Sequence, residues 1–162
     1  MHAYSLVEQR DFDGARAIWS EIWERTRDHK ALHQLGYVKR EEGDLEAALE
    51  IFHQESALIS SDDKFAHAVN LHELCLCNHL LGRSTEANNS FEAYRSARAD
   101  SDDAIEIACY FRLKGDLLAQ SDSMLARDAY QESLNKFEEA CDPFGIRELE
   151  ERLKKLESGR FL

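Results

Sequence analysis

Two groups of histidines are the first residues in this chain whose types and spacing could do chemistry. His72, Cys75 and His79 stand three and four residues apart, and His29 and His33 stand four apart. On a helix such offsets bring side chains onto one face, and imidazole and thiolate are the ligands zinc prefers. Packing competes with this reading. Cys75 falls where a small side chain recurs along the chain, so its thiol is expected to face a neighbouring helix, and no metal is expected. Catalytic signatures are scarcer. There is no Gly-rich phosphate loop and no G-x-S-x-G turn, and His72-Glu73 does not continue into H-E-x-x-H. Cys109 with a distant histidine is a conceivable nucleophile pair but carries no local motif. The chain is therefore expected to be non-enzymatic and to need no cofactor.

Acidic clusters are a second place where chemistry could hide. Ser60-Ser61-Asp62-Asp63 and Asp100-Ser101-Asp102-Asp103 offer several oxygens. A calcium loop would need a turning glycine and an ordered alternation of ligands, and both are missing. Each cluster instead precedes a helical pattern, where Ser and Asp accept hydrogen bonds from the free N–H groups of the first turn. Their charge also suits the positive end of the helix dipole.

The elements that position these residues are helical. Among 162 residues there are 7 glycines and one proline, Pro143, too few for a many-turned β protein. Hydrophobic residues make up 43%, enough for a packed core. Phe12, Ala15, Ile18, Trp19 and Ile22 form one stripe at helical spacing, and Leu32, Leu35, Gly36 and Val38 begin another. Gly43-Asp44 breaks the run before Leu45, Ala48, Leu49 and Phe52. The same grammar returns around Gly82-Arg83-Ser84 and again around Ser121-Asp122-Ser123. It is also strictly repeated. Leu35, Ala48 and Phe52 reappear 39 residues later as Leu74, Ala87 and Phe91, and after a further 39 as Leu113, Ala126 and Tyr130. A repeat of this length indicates stacked supersecondary units.

A last helix is expected from Asp142-Pro143, a capping carboxylate followed by a proline in the first turn. Ile146, Leu149, Leu153 and Leu156 form its apolar stripe. Glu148 with Arg152, Glu150 with Lys154, and Glu151 with Lys155 form i, i+4 pairs on its other face. Such a helix suits the end of a repeat array, whose last unit has no successor to cover it. A short coiled-coil strand is the rival use.

Charge narrows the partners. Lys and Arg number 20 against 32 Asp and Glu, a net charge of −12. Nucleic acid and anionic membranes both require a cationic face and are not expected. None of Cys75, Cys77, Cys109 and Cys141 forms a C-x-x-C pair, so all are expected to be reduced thiols. Met1 to Arg10 shows no secretory signal, and no apolar run approaches the ~20 residues of a membrane span. The expected address is the cytoplasm, of bacterial type.

The repeated positions resemble the tetratricopeptide repeat, whose pattern runs large-x₂-Leu-Gly-x₂-aromatic, then Ala-x₃-Phe, then Pro. Leu32-x₂-Leu35-Gly36 with Ala48-x₃-Phe52 matches best. Leu71-x₂-Leu74-Cys75 with Ala87-x₃-Phe91 follows with Cys in place of Gly. Tyr110-x₂-Leu113 with Ala126-x₃-Tyr130 puts Lys114 where a small residue is expected, and the closing Pro is absent throughout. Ala15-x₃-Trp19 suggests an opening partial unit. The longer unit is similar to those of peptide-sensing bacterial regulators. The resemblance implies an all-α, right-handed α-solenoid of antiparallel helix pairs. It would form a single domain over 1–162, with a partial repeat at 1–27, repeats at 28–60, 63–100 and 102–140, and a capping helix at 143–157. Small residues at the helix crossings, Gly36, Ala48, Cys75, Ala87 and Ala126, would let the helices approach. Ala48→Trp or Ala87→Trp is then expected to lose at least about 1–3 kcal/mol by overpacking, read by thermal unfolding.

In this family the first helix of each unit lines a concave groove. The resemblance places Lys30, His33, Tyr37 and Arg40 there, then Val69, His72, Leu76 and His79, then Ala108, Phe111, Gly115 and Leu118. One end would be cationic and aromatic and the other apolar, complementary to an extended peptide with an acidic and an apolar end. The expected function is non-catalytic binding of a protein or peptide. The alternative is a structural or self-association module, a homodimer formed through the Ile146–Leu156 stripe or through apolar surface near Trp19 and Trp23.

Overall fold

The computed structural model describes residues 6, 7 and 9–159. The opening part of the expected partial repeat at 1–27 lies in part outside them. Among the described residues eight helices are delimited and no strand occurs. They are α1 (Phe12–Thr26), α2 (His29–Glu42), α3 (Leu45–Ser56), α4 (Lys64–Leu80), α5 (Ser84–Ala97), α6 (Ala104–Leu118), α7 (Ser123–Glu139) and α8 (Pro143–Glu157).

Aspartate starts nearly every helix. Asp44 Oδ1 accepts from the Ala47 N–H, Asp63 Oδ1 from Ala66 and Asp103 Oδ1 from Glu106. Asp142 accepts from both Phe144 and Gly145, with Pro143 in the first turn. Each such bond satisfies a donor that the helix itself leaves unpaired, and replacing the cap by alanine typically costs about 1 kcal/mol. Both acidic clusters between repeats therefore do capping work. The turn from α2 to α3 needs Gly43, whose φ of +90° suits a residue without a Cβ.

The chain divides into two compact units, Met1–Ala97 and Arg98–Leu162. In the first, each of α1 to α4 packs on the next, and α2 also touches α4. Ala48, Leu49 and Phe52 of α3 meet Leu74 and Cys77 of α4 in one core cluster, while Ala15 of α1 and Val38 of α2 anchor another. Phe52 is fully buried, which is worth about 1.5–3 kcal/mol relative to exposure. Its ring lies against Gly36, so close that a Cβ on Gly36 would come within 2.6 Å of it. Between α1 and α2, Arg16 bridges Asp13 and Glu42.

In the second unit α6 packs on α7 and α7 on α8. Ala108, Ala126, Tyr130, Phe137 and Leu149 form its core, with Ile146, Leu153 and Leu156 packed against them. The apolar stripe of α8 is thus used inside this unit. Here the sequence reading needs a correction. Gly115, not Lys114, is the small residue at the α6–α7 crossing, because a Cβ at Gly115 would lie 2.4 Å from the Tyr130 ring. Buried polar bonds secure the same crossing. The Tyr130 hydroxyl donates to Asp116 Oδ1 at 2.8 Å, Arg152 Nε donates to that oxygen at 2.9 Å, and Ser133 Oγ donates to the Ala108 carbonyl at 2.7 Å.

Candidate functional site

Of the α2 residues expected to form a cationic face, His33 and Arg40 do not stand free. Three helices of the first unit meet there, and two buried glutamates answer the charge. Glu55 lies on the apolar stripe of α3 and is only 2% exposed. Its carboxylate accepts from Asn70 Nδ2 at 2.7 Å and lies 3.1 Å from His33 Nδ1 and 3.6 Å from His29 Nδ1. Asn70 also donates to the Phe52 carbonyl at 2.8 Å, tying α4 to α3. One turn further along α4, Glu73 lies 3.1 Å from Arg40 Nε and 3.4 Å from His72 Nδ1. Arg40 also reaches Glu41 at 3.0 Å and sits over the Tyr37 ring at 5.1 Å. A buried carboxylate without such partners would be strongly unfavourable, so glutamates and cations specify each other's positions.

The electrostatics follow from these contacts. Burial disfavours a charged His33, but the hydrogen bond and charge of Glu55 and the charge of Glu73 outweigh both burial and the repulsion of Arg40. The His33 pKa is raised above its ordinary 6.5. Burial pushes Glu73 upward, yet Arg40 and then His72 and His33 hold it well below the usual carboxylate range. Cys77, buried beside Glu73, is pushed up to about 12. A raised histidine pKa contributes stability that is complete below the unfolded value and is lost as pH climbs through the folded one. A depressed glutamate pKa contributes stability that is complete above about 4.5 and is lost as pH falls. These two groups therefore favour the folded first unit most between about pH 4.5 and 6.5. Urea unfolding at pH 6 and pH 8.5 is expected to show greater stability at pH 6, and His33→Gln is expected to flatten that difference.

Beside this polar seam lies a cleft of about 550 Å³. Trp19, Phe65 and Val69 give it apolar walls, Glu55 and His33 lie at its base, and Lys30 stands at its edge. Phe65, in the first turn of α4, is 62% exposed. A second, polar cleft of about 490 Å³ lies elsewhere in the first unit, among Glu46, Glu50, His53, Arg83 and Glu86. There Arg83 Nη2 donates to Glu46 Oε1 at 2.7 Å.

The twelve expected groove residues thus fall into distinct groups. Lys30, His33 and Val69 share the 550 Å³ cleft. Arg40 and His72 converge on Glu73, and Arg40 lies over the Tyr37 ring. His79 is half-buried and Leu76 is buried. In the second unit Phe111 is half-buried, its ring 5.2 Å from that of Tyr110 and 6.0 Å from Lys114 Nζ. Leu118 packs against the core. Ala108 and Gly115 are not groove residues at all. Ala108 is fully buried, and Gly115 faces Tyr130, because α6 turns this edge toward α7. Leu76, at 7% exposure, likewise offers almost no surface to a ligand.

The metal reading finds a different arrangement. His72 pairs with Glu73 and meets the Tyr94 ring edge-on at 5.7 Å, while Cys75 is fully buried. Among the described residues no three His, Cys, Asp or Glu side chains converge as metal ligands. All four cysteines are free thiols. Cys109 lies 3.8 Å from Arg112 Nη2, and burial raises its pKa despite that cation. Among the described residues no helix is long and apolar enough to cross a membrane.

Glu55, Asn70 and Glu73 were not among the expected site residues. Their signal was available. Glu55 continues the spacing of Ala48, Leu49 and Phe52, and Asn70 and Glu73 share spacing with Leu74 and Cys77. A polar residue at a stripe position marks a buried polar contact.

No family model matches the chain. The chain is 33% identical over 82 residues to BBSome complex member bbs-4 of Caenorhabditis elegans, an alignment covering 49% of this chain and 17% of that protein. The matched segment therefore spans under a fifth of that relative's length.

Proposed function

We propose that this chain is a non-catalytic scaffold of the tetratricopeptide-repeat kind that binds a protein or peptide on the face formed by α2 and α4. In this reading the helix pairs form a right-handed array and α8 covers the last of them. One observation carries it: a glycine of the first helix lies against an aromatic ring of the second in both the α2–α3 and α6–α7 pairs, Gly36 on Phe52 and Gly115 on Tyr130. That interlock is what the repeat resemblance requires. The similarity to a protein named as a member of a complex supports a role in protein assembly. Packing of the α8 stripe within its own unit favours a foreign partner over self-association through that helix.

Affinity capture from the native cell with the full-length chain tests the proposal. A partner recovered by the wild type is expected to be lost, or reduced about tenfold, with the double variant Lys30→Glu, Phe65→Ala, two residues of one cleft. Equal recovery with that variant contradicts the assignment to the α2–α4 face. Light scattering is expected to show a monomer, and a dimer that buries Lys30 and Phe65 contradicts the scaffold reading.

A further inference from the structure

We infer that His33 and the buried carboxylate of Glu55 form a proton-operated latch in the first unit. With the imidazole charged, the first turns of α2 are held on α3 and α4; with it neutral, this edge opens more often. The inference concerns the fold and does not depend on which partner the scaffold binds. Glu55 of α3 is only 2% exposed, and its Oε2 lies 3.1 Å from His33 Nδ1 and accepts from Asn70 Nδ2 of α4 at 2.7 Å. Its Oε1 is approached by His29 Nδ1 at 3.6 Å, and that buried nitrogen makes no hydrogen bond. One carboxylate thus joins three helices, and it does so in the lining of the 550 Å³ cleft.

The groups facing His33 set the sign. Burial disfavours the charged ring. Against it act the hydrogen bond and charge of Glu55 from α3 and the charge of Glu73 from α4, while Arg40 of its own helix opposes them. Lys30 of α2 and Asp63 at the cap of α4 share the cleft lining with opposite charges, His72 of α4 lies against Glu73, and α1 brings only Trp19 to the lining. The balance favours the charged ring, so the latch is fully closed below about pH 6.5 and releases as pH rises through the folded value. A neutral ring can still donate its Nδ1–H, but charge-assisted bonds are roughly twice as strong as neutral ones. Ala31 and Leu32 stay buried in the same turn. Release therefore changes how often the turn opens, not where it rests, and each opening uncovers the floor of the cleft.

Native-state hydrogen exchange of the full-length chain at pH 6 and pH 8.5, corrected for the intrinsic pH dependence of exchange, tests this. The second unit, Arg98–Leu162, contains no histidine and serves as the internal reference. Between the two pH values, protection of the amides of residues 33–37 is expected to fall by about threefold or more relative to those of residues 110–118. His33→Gln keeps a hydrogen-bond donor but cannot titrate, and is expected to abolish that difference. By NMR the His33 ring is expected to titrate above 6.5, and Glu55→Gln to bring its midpoint to 6.5 or lower. Circular dichroism checks that the variants fold. If Glu55→Gln does not, the wild-type midpoint and the His33→Gln exchange still decide. A pH difference that persists in His33→Gln, an equal fall in both units, or a His33 midpoint at or below 6.5 overturns the latch.

Discussion

Gly115→Val is expected to destabilise the second unit by about 3 kcal/mol or more, the upper part of the overpacking range. A Cβ at this position would lie 2.4 Å from both Cδ1 and Cε1 of Tyr130, and valine adds two methyl groups beyond it. The ring has nowhere to go. Tyr130 is 1% exposed, its hydroxyl is held by Asp116, and Asp116 is held in turn by Arg152 of α8. To admit the new side chain, α6 and α7 must separate and the Asp116 bonds must break with them. For a unit of this size the loss corresponds to a fall in Tm of at least about 12 °C. Thermal unfolding followed by circular dichroism reads it directly. Gly82→Ala is the control. Nothing lies within 4 Å of a Cβ there, so only the strain of its φ of +73° is incurred, about 1–2 kcal/mol. Equal effects at the two glycines would show that the α6–α7 crossing is not closed on Gly115.

The second large effect is expected at Glu73. Glu73→Ala leaves Arg40, whose side chain is only 16% exposed, without the anion it faces across the α2–α4 seam. Removing one partner of a buried pair typically costs 3–5 kcal/mol. About 3 is expected here, because Glu41 at 3.0 Å still answers part of the charge. The double variant Glu73→Leu, Arg40→Met is expected to regain much of that loss, since it abolishes the uncompensated charge as well as the pair. Urea denaturation of the single and double variants measures the coupling. The exposed pair Arg95–Glu92, 2.5 Å apart, is the reference: Glu92→Ala is expected to leave unfolding nearly unchanged. A Glu73→Ala protein as stable as wild type would mean that the seam does not hold the first unit together.

Much of this architecture is legible in the residues themselves. Asp44, Asp63, Asp103 and Asp142 announce helix starts because a short acidic side chain is the best acceptor for first-turn N–H groups, and all four cap helices in the structure. The breaks at Gly43, Gly82 and Ser121–Ser123 are visible because periodicity stops there. Crossing residues were harder. Fixed spacing pointed to Lys114, but the structure places its neighbour Gly115 against Tyr130, a one-residue difference that turns a side chain about 100° around a helix. The same sensitivity placed Ala108 and Gly115 on a groove when both are core. The polar seam was least legible. Helical spacing shows that His33 and Arg40 share a face with other residues of α2 but not which residues of α3 and α4 they meet, and that tertiary pairing answers the charge of both while leaving Lys30 exposed.

Amide chemical-shift mapping of the full-length chain with its captured partner tests the central claim most directly. The account predicts shifts concentrated on α2 and α4 around Lys30, His33, Phe65 and Val69, the residues that share the 550 Å³ cleft. Shifts confined instead to the polar cleft of Glu46, Glu50, His53 and Glu86 would contradict it.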